Sequence, residues 1–247
     1  MMWRLLYGGL VLVLLVFAAW VVFFMPGRAF VARACPFCFG FEKASDEIYV
    51  EASASAAARA DAASLVSQAR VRVESWYGAP QSRPIFFFCP DPACARRLVP
   101  GYRGGVLGLS DAHSTILLLP GGNSAVIAAH EWSHAELKLR LGIWNFARAE
   151  VPAWFDEGLA VLVAGDERYL APAVAAKVCP QQPTQAGLPT SERAWGPQAG
   201  RNHLLYARAA CVVTAWLADR DGAAGLDGLI AGIKSGQTFS QVWAMRG

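Results

Sequence analysis

Charge is scarce in this chain: Asp, Glu, Lys and Arg make up 17% of its 247 residues. The 22 basic and 19 acidic residues leave a formal net charge of +3. The basic residues are scattered and form no stripe, so the footprint of a nucleic-acid binder is missing. There is no acidic tail and no internal repeat, which removes charged-tail and repeat-array readings. Histidine is rarer still, with four residues: His113, His130, His134 and His203. What is abundant is apolar surface, at 55% of the chain. That is enough for one medium domain with a real core, with or without appendages.

Part of the apolar excess is local. Leu5 to Met25 runs 21 residues without a charge. At ~1.5 Å rise per residue it reaches roughly 30 Å, the thickness of a bilayer core. A cleaved signal peptide has a shorter apolar region and a small-residue site, and none follows here. The expectation is a retained transmembrane signal anchor over residues 1–25. Arg4 precedes the run while Arg28 and Arg33 follow it, so loop charge sets no orientation. The six cysteines all come later: Cys35, Cys38, Cys89, Cys94, Cys179 and Cys211. An even number suits disulfides in an oxidising compartment, which places the domain outside the cytoplasm, periplasmic or extracellular.

Residues 26–51 read as a linker carrying Cys35-Pro36-Phe37-Cys38. No strand-helix-strand pattern surrounds this C-x-x-C, so a local structural disulfide is preferred over redox chemistry or zinc binding with Cys89 and Cys94. Residues 52–247 form the folded domain. Ala52 to Trp76 lacks Gly and Pro and predicts a long helix, stopped by Gly78 and Pro80. Ile85 to Cys89 predicts a buried strand, followed by a Cys89–Cys94 loop closed by a disulfide. Val106–Leu109 and Thr115–Leu119 predict two more strands, with His113 on the surface of the turn between them. Thr115–Leu119 is a candidate edge for pairing with an extended substrate, or a plain structural edge. Asn123 or Ser124 caps a helix to about Leu141, stopped by Gly142. A second helix starts after Pro152, and Pro172 to Gly200 reads as mostly loop. His203–Asp219, Leu226–Ile233 and Phe239–Met245 predict the last helices. The fold class is α+β, mainly helical with a small mixed or antiparallel sheet.

The chemistry sits in His130-Glu131-Trp132-Ser133-His134. On a helix, positions four apart share a face one turn apart, so both imidazoles can bind one zinc ion. Glu131 adjoins the first ligand and can reach a water there without ligating. A catalytic zinc needs a third protein ligand. The segment Val151–Ala160 supplies Glu157, with Glu150 and Asp156 as competing carboxylates. Asp156 is also a candidate partner that orients a ligand histidine. Gly158 lets the two helices approach closely. Trp132 and Trp154 read as core or pocket wall.

His130-Glu131-x-x-His134 followed by Trp154-x-x-Glu157-Gly158-x-Ala160 resembles the gluzincin metallopeptidases, most of all the peptidase MA-like group. The resemblance covers about residues 80–220 coarsely, and only the two motifs are specific. It implies a zincin-like fold, His130, His134 and Glu157 as zinc ligands, and Glu131 as general base. It further suggests Tyr206, on a later helix, as donor to the developing oxyanion, with His203 as the second choice. The aminopeptidases among these families carry an acidic motif upstream of the zinc helix. Val106-Leu107-Gly108-Leu109 stands there instead, so aminopeptidase specificity is not implied. The expected activity is zinc-dependent hydrolysis of a peptide or protein substrate by a membrane-anchored enzyme. The rival is a membrane-anchored binding domain in which zinc is only a staple. A Cys35/Cys38 redox module is a further rival.

Overall fold

Phe86 to Phe88 is an uninterrupted aromatic run, and such a run suits a strand buried on both faces. In the computed structural model it is the middle of a sheet. The structure describes all residues except 1, 24, 112–113, 172–178, 180–182 and 246–247. The expectation for His113 therefore lies outside the described residues. The chain divides into two units. The first comprises Met1–Ala63, Ile85–Asp111 and Thr115–Asn123, the second Ser64–Pro84, Ala112–Ser114 and Ser124–Gly247.

The first unit holds the five-stranded sheet. Its strands are β1 (Phe41–Ser45), β2 (Ile48–Glu51), β3 (Ile85–Phe88), β4 (Gly108–Ser110) and β5 (Thr115–Leu118), in the order β1-β2-β3-β5-β4. β2, β3 and β5 run parallel, while β1 and β4 pair antiparallel at the edges, so the sheet is mixed. Phe87 lies opposite Tyr49 on one side and Leu117 on the other. Its ring packs with Phe41, Leu98, Leu117 and Leu119 in the core of this unit.

Two expectations are corrected here. The stretch 26–51, read as a linker, contains the β1–β2 hairpin. Its turn places Glu47 at φ 65°, a left-handed position where the sequence offers no Gly or Asn as a signal. The strand at Thr115 is not an edge, because β4 covers one side and β3 the other. Its backbone is already paired and cannot take an extended substrate there.

The membrane expectation is also corrected. Among the described residues, no helix is long and apolar enough to cross a membrane. Helix α1 (Met2–Phe23) carries most of the apolar run Leu5–Met25, and α2 (Met25–Ala34) is the next described helix. A single-pass anchor is not supported.

The cysteines are all paired. Cys35–Cys38 closes around a short 3-10 turn, and Cys89–Cys94 closes the loop after β3. Cys179–Cys211 is a third bond, in the second unit. The structural disulfides expected for Cys35–Cys38 and Cys89–Cys94 are present. The long helix expected after residue 52 is α3 (Ala56–Tyr77). The short α4 (Pro92–Leu98) is capped by Asp91, whose carboxylate accepts from Ala93 N and Cys94 N.

The second unit is helical. After α4 it carries α5 (Ala125–Leu141), α6 (Ile143–Arg148), α7 (Ala153–Ala164), α8 (Glu167–Leu170) and α9 (Glu192–Ala199). Next come α10 (Leu204–Ala218), α11 (Ala223–Lys234) and α12 (Phe239–Ala244). α7 packs against α5 on one side and α10 on the other. Its Ala and Val residues fill the seam, and Trp154 and Phe155 pack against Phe239 and Trp243 of α12. Trp154 is thus a core residue. The stretch expected to be loop up to Gly200 ends in α9, because Ser191 caps it by accepting from Ala194 N.

Candidate metal centre

Ser124 starts α5 by accepting from Ile127 N, and Gly142 stops it at φ 76°. That frame places His130 and His134 one turn apart, with ring centroids 4.9 Å from each other. The far face of the same helix is pinned by polar contacts. Glu136 is fully buried, and its carboxylate accepts from Gln81 N at 2.8 Å, Ser82 N at 2.9 Å and Ser82 Oγ at 2.6 Å. Arg140 Nε donates to it at 2.7 Å, and Trp132 Nε1 donates to Ser82 Oγ at 2.8 Å. These contacts fix the rotation of α5 about its axis. Glu136 was not singled out in the sequence. Its spacing of four from Arg140 is the only signal, and that pairing is common on exposed helices.

α6 and the left-handed Glu150 (φ 56°) reverse the chain into α7. Glu150 is exposed, which removes it as a ligand. Asp156 and Glu157 then arrive on the first turn and a half of α7 and take different roles. Asp156 Oδ1 lies 2.8 Å from His134 Nδ1. Asp156 Oδ2 lies 3.5 Å from Lys138 Nζ. Glu157 Oε2 lies 3.3 Å from His130 Nε2 and 3.8 Å from His134 Nε2. Donor atoms of His130, His134 and Glu157 all lie within 4.8 Å of one another, so this group could hold a metal ion. The sequence alternatives for the third position resolve to Glu157, with Asp156 behind His134.

Electrostatics argue that the cluster wants a cation. The Nδ1 proton of neutral His134 goes to Asp156, which leaves Nε2 as a lone pair facing the carboxylate of Glu157. Glu157 Oε2 is buried and accepts no hydrogen bond among the described residues. Two ring nitrogens and one carboxylate oxygen that accepts no hydrogen bond thus converge. Buried acceptors of this kind are costly unless something positive meets them. Without a metal, a proton does part of this. Burial opposes a charge on His134, but Asp156 and Glu157 outweigh it and push its pKa up to about 9. Burial likewise opposes ionisation of Asp156, but the His134 and Lys138 charges beside it hold its carboxyl well below the usual range.

Glu131 follows His130 on α5 and is 9% exposed. Tyr206 is half-buried on α10, its ring 6.3 Å from the His130 ring and stacked on Tyr169 at 5.0 Å. Trp195 presents its edge to the same ring at 5.3 Å. Burial, then the charge of Glu157, pushes the Tyr206 phenol well above its ordinary range. It therefore keeps its proton and remains a hydrogen-bond donor at any ordinary pH. His203 is exposed at the start of α10 and makes no side-chain cap bond. It lies outside the metal-binding group.

Gly158 does allow a close approach, but not between the two helices expected. A Cβ at Gly158 would lie 2.7 Å from the Ala209 carbonyl carbon and oxygen, on α10. The glycine therefore seats α7 against the Tyr206 helix and not against the histidine helix.

The chain matches no protein-family model, no curated protein and no solved structure.

Proposed function

We propose that this chain is a zinc-dependent peptidase whose metal is held by His130, His134 and Glu157. The observation that carries the reading is the convergence of two imidazole nitrogens and one unpartnered carboxylate oxygen beside a second, buried carboxylate, Glu131. Two nitrogens and one oxygen make a donor set suited to zinc, and three protein ligands leave a position open for chemistry. Zinc bound there supplies a Lewis acid and lets water act as a nucleophile at neutral pH.

The remaining steps belong to the side chains. Glu131 takes the proton of the attacking water and delivers it to the departing amine. Tyr206, protonated and next to His130, donates a hydrogen bond to the carbonyl oxygen as negative charge gathers on it. Asp156 keeps His134 in the tautomer that offers Nε2.

The test compares the full chain with Glu131→Gln. Both are loaded with zinc, assayed for metal per chain, and given a mixed peptide library. The proposal expects equal zinc and a fall in cleavage of at least 100-fold, the usual scale for a lost general base. Equal cleavage by both proteins would overturn the mechanism. Zinc in both and cleavage by neither would instead make the site a structural staple.

A further inference from the structure

We infer that Lys138 is a positioning residue of the metal centre, holding one oxygen of Asp156 so that the other fixes the His134 ring with Nε2 toward the ligand cluster. The inference rests on the zinc reading above.

Lys138 follows His134 by one turn of α5, so both side chains leave the same face. Its Nζ stands 3.5 Å from Asp156 Oδ2, while Asp156 Oδ1 stands 2.8 Å from His134 Nδ1. Asp156 is 1% exposed, and its Oδ2 has no hydrogen-bond partner among the described residues. The ammonium is therefore the charge that this oxygen faces. The lysine is itself largely buried, with 21% of its side chain exposed, and it sits 5.6 Å from the Phe146 ring centroid. Burial works against its charge, but Asp156 first, and Glu192 and Glu131 after it, hold the ammonium protonated.

The neighbouring carboxylates call for a cation at this place, since Glu192 and Glu131 act on the Lys138 ammonium besides Asp156. Without Lys138, Asp156, which is 1% exposed, keeps a bare oxygen, and turning to relieve it would loosen its hold on His134.

A simple repulsion argument predicts the opposite outcome. Lys138 is a cation near a cation site, and its removal should then tighten metal binding. The sign of the effect therefore decides the matter.

The experiment titrates the full chain with zinc against a chromogenic chelator. The proteins are wild type, Lys138→Met, Lys138→Gln, Lys138→Arg, Asp156→Asn and the Lys138→Met/Asp156→Asn double variant. Positioning predicts zinc binding weaker by about 10- to 100-fold in Lys138→Met, the usual scale for losing an outer-shell partner. Lys138→Gln should weaken binding less, and Lys138→Arg should restore most of it. In the Asp156→Asn background the methionine should change little, because an amide needs no counter-charge. Imidazole ¹⁵N NMR gives a second readout, in which Lys138→Met loses the sharp His134 Nδ1–H signal that wild type keeps. Should Lys138→Met melt before it can be titrated, Lys138→Gln decides the sign alone. Affinity equal to or tighter than wild type in the folded variants would overturn the inference. If His134→Ala also leaves zinc affinity unchanged, the metal site itself is wrong and not merely the lysine's part in it.

Discussion

Gly158→Ala sets two effects of known size against each other. Alanine is the better helix residue by about 1 kcal/mol, and α7 would gain that much in isolation. In the folded chain the added Cβ would stand 2.7 Å from the carbonyl carbon and oxygen of Ala209 and 3.0 Å from Ala210 N. All of these are backbone atoms, and no rotamer change relieves the contact. α7 and α10 would have to part by several tenths of an ångström within a close-packed seam. Overpacking of this sort costs about 1–3 kcal/mol, and a clash with rigid backbone belongs at the upper end. Packing therefore wins, for a net loss of about 2 kcal/mol. For a chain of this length each kcal/mol lowers Tm by roughly 2–4 °C, so the melt should fall by about 4–8 °C. Scanning calorimetry of the wild type and the variant, both without metal, reads the shift directly. A variant as stable as wild type, or more stable, would refute the close approach of α7 and α10.

Two further outcomes follow from the same contacts. Glu136→Ala would strand the Gln81 and Ser82 amides and leave Arg140 without its partner. Breaking a buried ion pair costs about 3–5 kcal/mol, and urea unfolding showing no loss would contradict that role. The metal-stripped protein should also lose stability as pH rises. His134 is raised from 6.5 to about 9 in the folded state, so its contribution is complete below about pH 6.5 and disappears as pH climbs through about 9. Thermal melts across that range should show the loss in stripped protein and a much smaller one with zinc. The same slope in both would argue against His134 as a ligand.

How much of this was legible in the sequence differs from element to element. Ser124 and Gly142 placed α5 almost to the residue, Pro152 placed the start of α7, and the apolar run His203–Asp219 matched α10. The Ile85–Phe88 and Thr115–Leu118 strands were visible as short apolar runs between turns. β1 and β2 were not, since Phe41-Glu42-Lys43-Ala44-Ser45 carries charges and its turn puts a glutamate where a glycine is usual. Hydropathy predicted a span at the amino terminus, where no described helix is long and apolar enough to cross a membrane. At the site, spacing proposed His130 and His134 and the downstream motif proposed Glu157 ahead of Glu150 and Asp156, while the contact of Asp156 with His134 Nδ1 came from the fold. Lys138 had no signal, and Glu136 only its common spacing of four from Arg140. A buried charge declares itself through the partner that folding brings to it, and Asp156, Gln81 and Ser82 are not sequence neighbours.

A crystal grown with zinc and measured on both sides of the zinc absorption edge tests the central claim most directly. One anomalous peak per chain is expected, within bonding distance of His130 Nε2, His134 Nε2 and Glu157 Oε2, with Asp156 still on His134 Nδ1. A peak bound elsewhere, or none among these three residues at saturating zinc, would contradict it.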